Sequence, residues 1–164
     1  MAHKKVFTVP FRRKQEGKTD YKARLSLLKS GKLRLVVRKS NLHIIAQLIE
    51  YGDKGDKIII SASSTELKKY GWTKNTGNIP AAYLVGLLIA KKAGNKEAIL
   101  DLGLQSPIKN TRLFAVLKGA IDGGLNINAS ETVFPTQDRL EGKHIDDGYG
   151  KEIETVKKNL LSKK

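Results

Sequence analysis

From Leu33 to Ser63 the apolar residues follow a two-residue repeat, and from Pro80 onward they do not. That change of period constrains the fold more than any other feature. In LRLVVRKS, Leu33, Leu35 and Val37 alternate with Arg34, Val36 and Arg38, the pattern of a half-buried strand. Ser40-Asn41 predicts a turn, and LHIIAQLIEY a second strand rich in branched residues. Turn residues cluster over Gly52-Asp53-Lys54-Gly55-Asp56, and KIIISAS supplies a third strand. Three strands joined by short turns predict an antiparallel meander.

Ser64 is placed to cap a short helix, TELKKYG, and GWTKNTGNIP reads as a loop. Pro80 suits the first turn of AAYLVGLLIAKKAG, a helix apolar on nearly every side and therefore buried. EAILDLG is a fourth strand, QSPIKNT a loop, and RLFAVLKGAIDGG a second long helix closed by paired glycines. Strand, helix and strand in succession predict a crossover with parallel pairing. The expected class is α/β, a mixed sheet (antiparallel three-stranded meander plus a parallel strand) flanked by helices. Ahead of it, Met1 to Lys18 reads as an extended basic arm. Thr19 looks like an N-cap, with Asp20 in the first turn of an amphipathic helix carrying Tyr21, Leu25 and Leu28, closed by Gly31. Past Leu125 the chain turns polar and ends in a predicted helix, YGKEIETVKKNLLSKK. The expected organisation is a basic arm over 1–18, a core over 19–127 and a C-terminal extension over 128–164.

Charge supplies the first functional clue. Residues 1–39 hold 13 lysines and arginines against 2 acids, a balance of +11, and the rest holds 18 against 14, or +4 of the total +15. Like charges packed that closely repel, and a polyanion relieves the repulsion while releasing counterions. Nucleic acid is the favoured partner, ahead of an anionic membrane or an acidic protein. The apolar run Ile79–Ala90, about twelve residues, falls short of the ~20 that span a bilayer. The first residues lack the apolar stretch of a secretory signal, and no cysteine is available for a disulfide or a zinc-thiolate site, so a soluble cytoplasmic protein is expected.

Candidate catalytic chemistry is thin. Asp101 and Asp122 end a predicted strand and helix, and Asp146 and Asp147 lie beyond them. Two-metal phosphoryl chemistry needs such acids to converge, and simpler readings are a strand-end acceptor and a helix-surface acid. His3, His43 and His144 lack the spacing of a metal site, the serines lack a nucleophile elbow, and the glycines lack a dinucleotide pattern. No catalytic residue, metal or cofactor is expected. Basic residues interleaved with aromatics and amides remain. Phe11 and Tyr21 flank Arg12, Arg13, Lys14, Lys18, Lys22 and Arg24, whose guanidinium and ammonium groups suit phosphate oxygens. Arg34 and Arg38 stand four apart on a strand, about 13 Å along one face, with Lys39 beside them. Trp72 lies in a loop with Lys74, Asn75 and Asn78, where its indole either stacks on a base or packs back on the core beside Tyr70.

Several stretches match a known pattern in order. Phe11-Arg12-Arg13-Lys14, Glu16-Gly17-Lys18-Thr19-Asp20-Tyr21 and Ala23-Arg24 lead into Leu35-Val36-Val37-Arg38-Lys39-Ser40-Asn41. Gly71-Trp72, Asn78, Ala82-Tyr83 and Gly86-Leu87-Leu88 follow, then Ala120-Ile121-Asp122-Gly123-Gly124-Leu125-Asn126-Ile127, Phe134-Pro135 and Gly142-Lys143-His144-Ile145. From Val6 to Ile145 the chain resembles the archaeal- and eukaryotic-type large-subunit ribosomal protein eighteen family. It departs at Asn128-Ala129-Ser130, where a proline-histidine pair is common. The resemblance implies a non-catalytic ribosomal protein that binds 5S rRNA and joins it to the large-subunit rRNA in the central protuberance. It also implies neighbouring large-subunit proteins, including the other 5S-associated one. The residues expected on RNA are Arg12, Arg13, Lys14, Lys18, Arg24, Arg34, Arg38 and Lys39 for phosphates. Tyr21, Asn41, Trp72, Lys74, Asn75 and Asn78 are expected on bases and riboses. The rival readings are an RNA-processing nuclease and a general nucleic-acid-coating protein.

Overall fold

The structure is a computed structural model that describes residues 8–146 and 148–162. Expectations for residues 1–7 of the arm, for His3, for Asp147 and for the last two lysines lie outside the described residues. In chain order the elements are α1 (Arg12–Gln15), α2 (Tyr21–Leu28), β1 (Leu33–Lys39), β2 (Ile44–Gly52), β3 (Gly55–Ser63), a 3-10 segment (Ser64–Tyr70) and α3 (Ile79–Ala93). After them come β4 (Ala98–Asp101), α4 (Arg112–Asp122), a 3-10 turn (Glu131–Val133), α5 (Gln137–Leu140) and α6 (Gly148–Ser162).

The sheet has the order β3-β2-β1-β4. β1, β2 and β3 form the antiparallel meander, and β4 lies parallel to β1, with Leu33 beside Ala98 and Val36 beside Asp101. The mixed α/β class read from the change of period is the one the structure shows. Leu35, Val37, Ile44, Ala46 and Leu48 point to one face and join the core built with α3 and α4. α3 starts where expected: Asn78 caps it by accepting from the Ala81 N–H at 3.0 Å, and Pro80 occupies its first turn. α3 and α4 press backbone to backbone. A Cβ on Gly86 would run into the Val116 carbonyl, and one on Gly119 into the Tyr83 carbonyl, so both positions exclude a side chain. α6 docks through Tyr149, Ile153, Val156 and Leu160, all buried in the same core.

The local details correct four expectations. The segment before Thr19 is not wholly extended, because Arg12–Gln15 makes one helical turn. Asp20, not Thr19, caps α2, accepting from the N–H groups of Lys22 at 2.9 Å and Ala23 at 3.1 Å. The amphipathic reading of α2 fails: none of its residues is buried, and Leu25 is 57% exposed. Ala23 and Leu27 lie on the side of the helix away from Tyr21, Leu25 and Leu28, so the apolar positions are spread around it and form no single docking face. Ser63 rather than Ser64 caps the following 3-10 segment, in a reciprocal pair with Glu66. Ser64 is buried and accepts from the Ile44 N–H at 3.1 Å.

Candidate nucleic-acid interface

β1 turns Arg34, Val36 and Arg38 away from α3 and α4. Their neighbours on that face are Ile49, Gln47 and Ile45 of β2, with Ile99 and Asp101 of β4 beside Arg34 and Val36. The expected row of solvated cations breaks down at Arg34, which is only 2% exposed. Its Nη1 donates to Asp101 Oδ2 at 2.8 Å, and its Nη2 lies 2.7 Å from Asp56 Oδ1. Arg24 of α2 donates to that same Asp56 oxygen at 2.8 Å. A buried guanidinium without partners is costly, and two carboxylates compensate this one. Burial works against the charge on Asp56, but the hydrogen bonds and positive charge of Arg34 and Arg24 outweigh it. The carboxyl is thereby held below its usual range.

Arg38, four residues further on, keeps 47% of its side chain exposed. Its Nη1 donates to the carbonyls of Val37 at 2.9 Å and Asp101 at 3.3 Å, and its Nη2 lies 4.0 Å from Asp101 Oδ1. Gly103 makes room for it: φ is +60° there, and a Cβ would come within 2.9 Å of Arg38 Nη2. Arg13, Lys18, Arg24 and Arg38 together line a cleft of about 180 Å³ between the α1–α2 segment and the C-terminal ends of β1 and β4. Arg13 Nε donates to Thr19 Oγ1 at 2.9 Å. Lys18 and Arg12 both reach Glu16, at 2.8 Å and 2.7 Å, and together hold its carboxyl below the usual range, Lys18 foremost. Lys14, Lys39 and Asn41 are exposed, and half-buried Tyr21 packs on Phe11 with ring centroids 5.2 Å apart.

The residues expected from the central loop form a separate group. Trp72 is 2% exposed and packs edge-on against Tyr149 of α6 at 5.8 Å, with its Nε1 donating to the Asn75 carbonyl at 3.2 Å. Of its two readings the core one describes this structure, with Tyr149 as a ring partner. Lys74 sits over the Tyr149 ring and 3.5 Å from Asp146. Asn78 Nδ2 donates to Tyr149 Oη at 3.3 Å, while Asn75 Oδ1 accepts from the Gly77 N–H at 2.7 Å. In this structure the loop seats α6. It also packs on the β1–β2 turn, where His43 Nδ1 lies 3.2 Å from Thr76 Oγ1.

Two residues not picked from the sequence shape the interface. Arg112 donates through Nη1 to the carbonyls of Ser40 at 3.1 Å and Gly77 at 2.7 Å, fastening the turn after Lys39 to the loop. Gly103 is the other. A glycine just past a strand end was the available signal, and nothing local distinguishes Arg112 from a solvated helix-start cation.

The candidate nuclease acids do not converge. Asp101 is engaged by Arg34, Asp122 accepts from Tyr83 Oη at 3.0 Å and pairs with Lys118 at 3.0 Å, and Asp146 lies beside Lys74. Among the described residues no group of three or more histidine, cysteine or acidic side chains is placed to hold a metal ion. No described helix is long and apolar enough to cross a membrane. A mixed sheet with a four-cation cleft at its edge, and its acids tied to cations, defines a basic α/β protein suited to a polyanion. A sequence model of the ribosomal large subunit proteins 60S L5 and 50S L18 matches residues 5–98, and the chain belongs to that family. The family is one of large-subunit ribosomal proteins that bind 5S rRNA, and it is not an enzyme family.

Proposed function

We propose that this chain is a structural constituent of the large ribosomal subunit that binds 5S rRNA and attaches it to the large-subunit rRNA in the central protuberance. The observation that carries this reading is the gathering of Arg13, Lys18, Arg24 and Arg38 about one cleft in a member of this family. Arg12, Lys14 and Lys39, all exposed, contact the RNA backbone, and exposed Asn41 contacts a base or ribose. Tyr21 and, on the separate central loop, Lys74, Asn75 and Asn78 are the further contacts, made to bases and riboses. Arg34 and Trp72 act indirectly, Arg34 by anchoring Asp56 and Asp101 and Trp72 by holding the central loop on α6. RNA of defined shape is recognised mainly by where its phosphates lie, with few bases read. The other 5S-associated protein is a neighbour in the assembly, and the site of action is the cytoplasmic ribosome.

The test is binding to 5S rRNA against excess transfer RNA at several salt concentrations. Tight binding that survives competitor supports the reading. Equal loss to either RNA would leave a general nucleic-acid-coating protein.

A further inference from the structure

Arg13, Lys18, Arg24 and Arg38 arrive at their cleft from three places: α1, the turn and helix after it, and the end of β1. Two acids share its walls, and both are already engaged. Asp20 accepts from the backbone of Lys22 and Ala23. Asp101 Oδ2 holds Arg34, and its Oδ1 accepts from the Gly103 N–H at 2.8 Å. Lys18 and Arg24 are in turn paired with Glu16 and Asp56, whose side chains do not line the cleft, so Arg13 and Arg38 carry its least compensated positive charge and are the cations an anion placed there meets. Arg38 is positioned in advance by the Val37 and Asp101 carbonyls and by the room that Gly103 leaves. A guanidinium held in this way is suited to gripping two oxygens of one phosphate. The rest of the lining is Thr19, whose hydroxyl oxygen is engaged by Arg13, Gly103, and the aliphatic side chains of Ala23, Leu27, Leu102 and Leu104.

We propose that this cleft holds a single phosphodiester group of the rRNA backbone, with Arg38 and Arg13 as its two ligands on opposite walls and Lys18 and Arg24 supplying the surrounding field. The inference rests on the RNA-binding reading above and goes further, from a basic surface to one phosphate with two named ligands. Binding at this point bridges the α1–α2 segment to the sheet edge, so the RNA itself fastens the segment to the body of the protein.

The experiment uses the full chain with phosphorothioate-substituted 5S rRNA, comparing wild type, Arg13→Gln, Arg38→Gln and the double variant. Backbone protection is mapped for each, and affinity is followed against salt concentration. Arg13 is exposed, so its variant folds independently of any role Arg38 has in packing. One shared phosphate predicts that both single variants lose protection at the same backbone position. It also predicts that the double variant lowers the salt slope by about 0.7–0.9, the value of one phosphate. Protection lost at two different positions, or a slope lowered by about twice that amount, means two separate phosphates and overturns the proposal. Unchanged protection and slope overturn it as well, while leaving 5S rRNA binding intact. A wild type that fails to select 5S rRNA defeats the functional reading itself.

Discussion

The two ends of the described chain carry polar, helical segments, and they are attached in opposite ways. α6 inserts Tyr149, Ile153, Val156 and Leu160 into the core, and Glu152 and Asn159 bond to the backbone of Thr73 and Tyr70. Each fully buried side chain of that kind is worth about 1.5–3 kcal/mol. The α1–α2 segment buries no residue, and the Arg24–Asp56 ion pair, about a third exposed at both ends, ties it to the sheet. A pair so placed contributes about 1 kcal/mol or less and weakens with salt. One segment is thus part of the folded body. The other is an attachment whose positive charge makes it ready for a polyanion. The difference teaches that charge density and structural weight are separate properties: the most cationic stretch of the chain is the one its own core holds least.

The contrast can be broken or sharpened by substitution. Ile153→Ala, which hollows the seat of α6, is expected to cost about 2–5 kcal/mol in denaturant unfolding, with 5S rRNA affinity unchanged for the protein that remains folded. A cost under 1 kcal/mol would place α6 outside the cooperative unit. Asp101→Ala removes one of the two carboxylates on buried Arg34 and should cost about 3 kcal/mol, the lower end for breaking a buried pair because Asp56 remains. Acid offers a gentler probe. The folded-state pKa of Asp56 is depressed below the unfolded value of about 3.9, so its contribution is complete above that pH. That contribution is lost as pH falls through the depressed value, and Asp56→Asn should flatten the acid limb of the stability curve by comparison with wild type. Leu25→Ala on α2 is expected to change stability by no more than about 0.5 kcal/mol, and a larger loss would mean that α2 packs more firmly than its exposure indicates.

Much of this fold was legible in the sequence because its signals are local. The period-two runs of β1 to β3 and the apolar helix behind Pro80 depend on neighbours a few residues away. Arg34 shows where such reading stops. Along the strand it alternates with Leu33 and Leu35 as Arg38 alternates with Val37, and nothing nearby separates the two arginines. Their fates diverge because Asp101, 67 residues later, and Asp56 of β3 reach Arg34, whereas Arg38 lies beyond Val36, the last β1 residue paired with β4, and keeps 47% of its side chain exposed. Trp72 poses the same problem from the other side: a loop composition rich in lysine and asparagine hides an indole whose partner, Tyr149, lies on the last helix. In α2, Tyr21, Leu25 and Leu28 satisfy a spacing rule, yet the helix buries none of them. Of the expected phosphate contacts, Arg13, Lys18, Arg24 and Arg38 share one cleft, a convergence that spacing alone does not encode.

Amide hydrogen exchange, recorded on the free protein and on its complex with 5S rRNA, compares the two ends directly. The account predicts that amides of Tyr21–Leu28 exchange quickly in the free protein and slow markedly in the complex, while those of Ile153–Leu160 are strongly and equally protected in both. Slow exchange in α2 without RNA, or protection on binding that appears in α6 and bypasses α2, would contradict it.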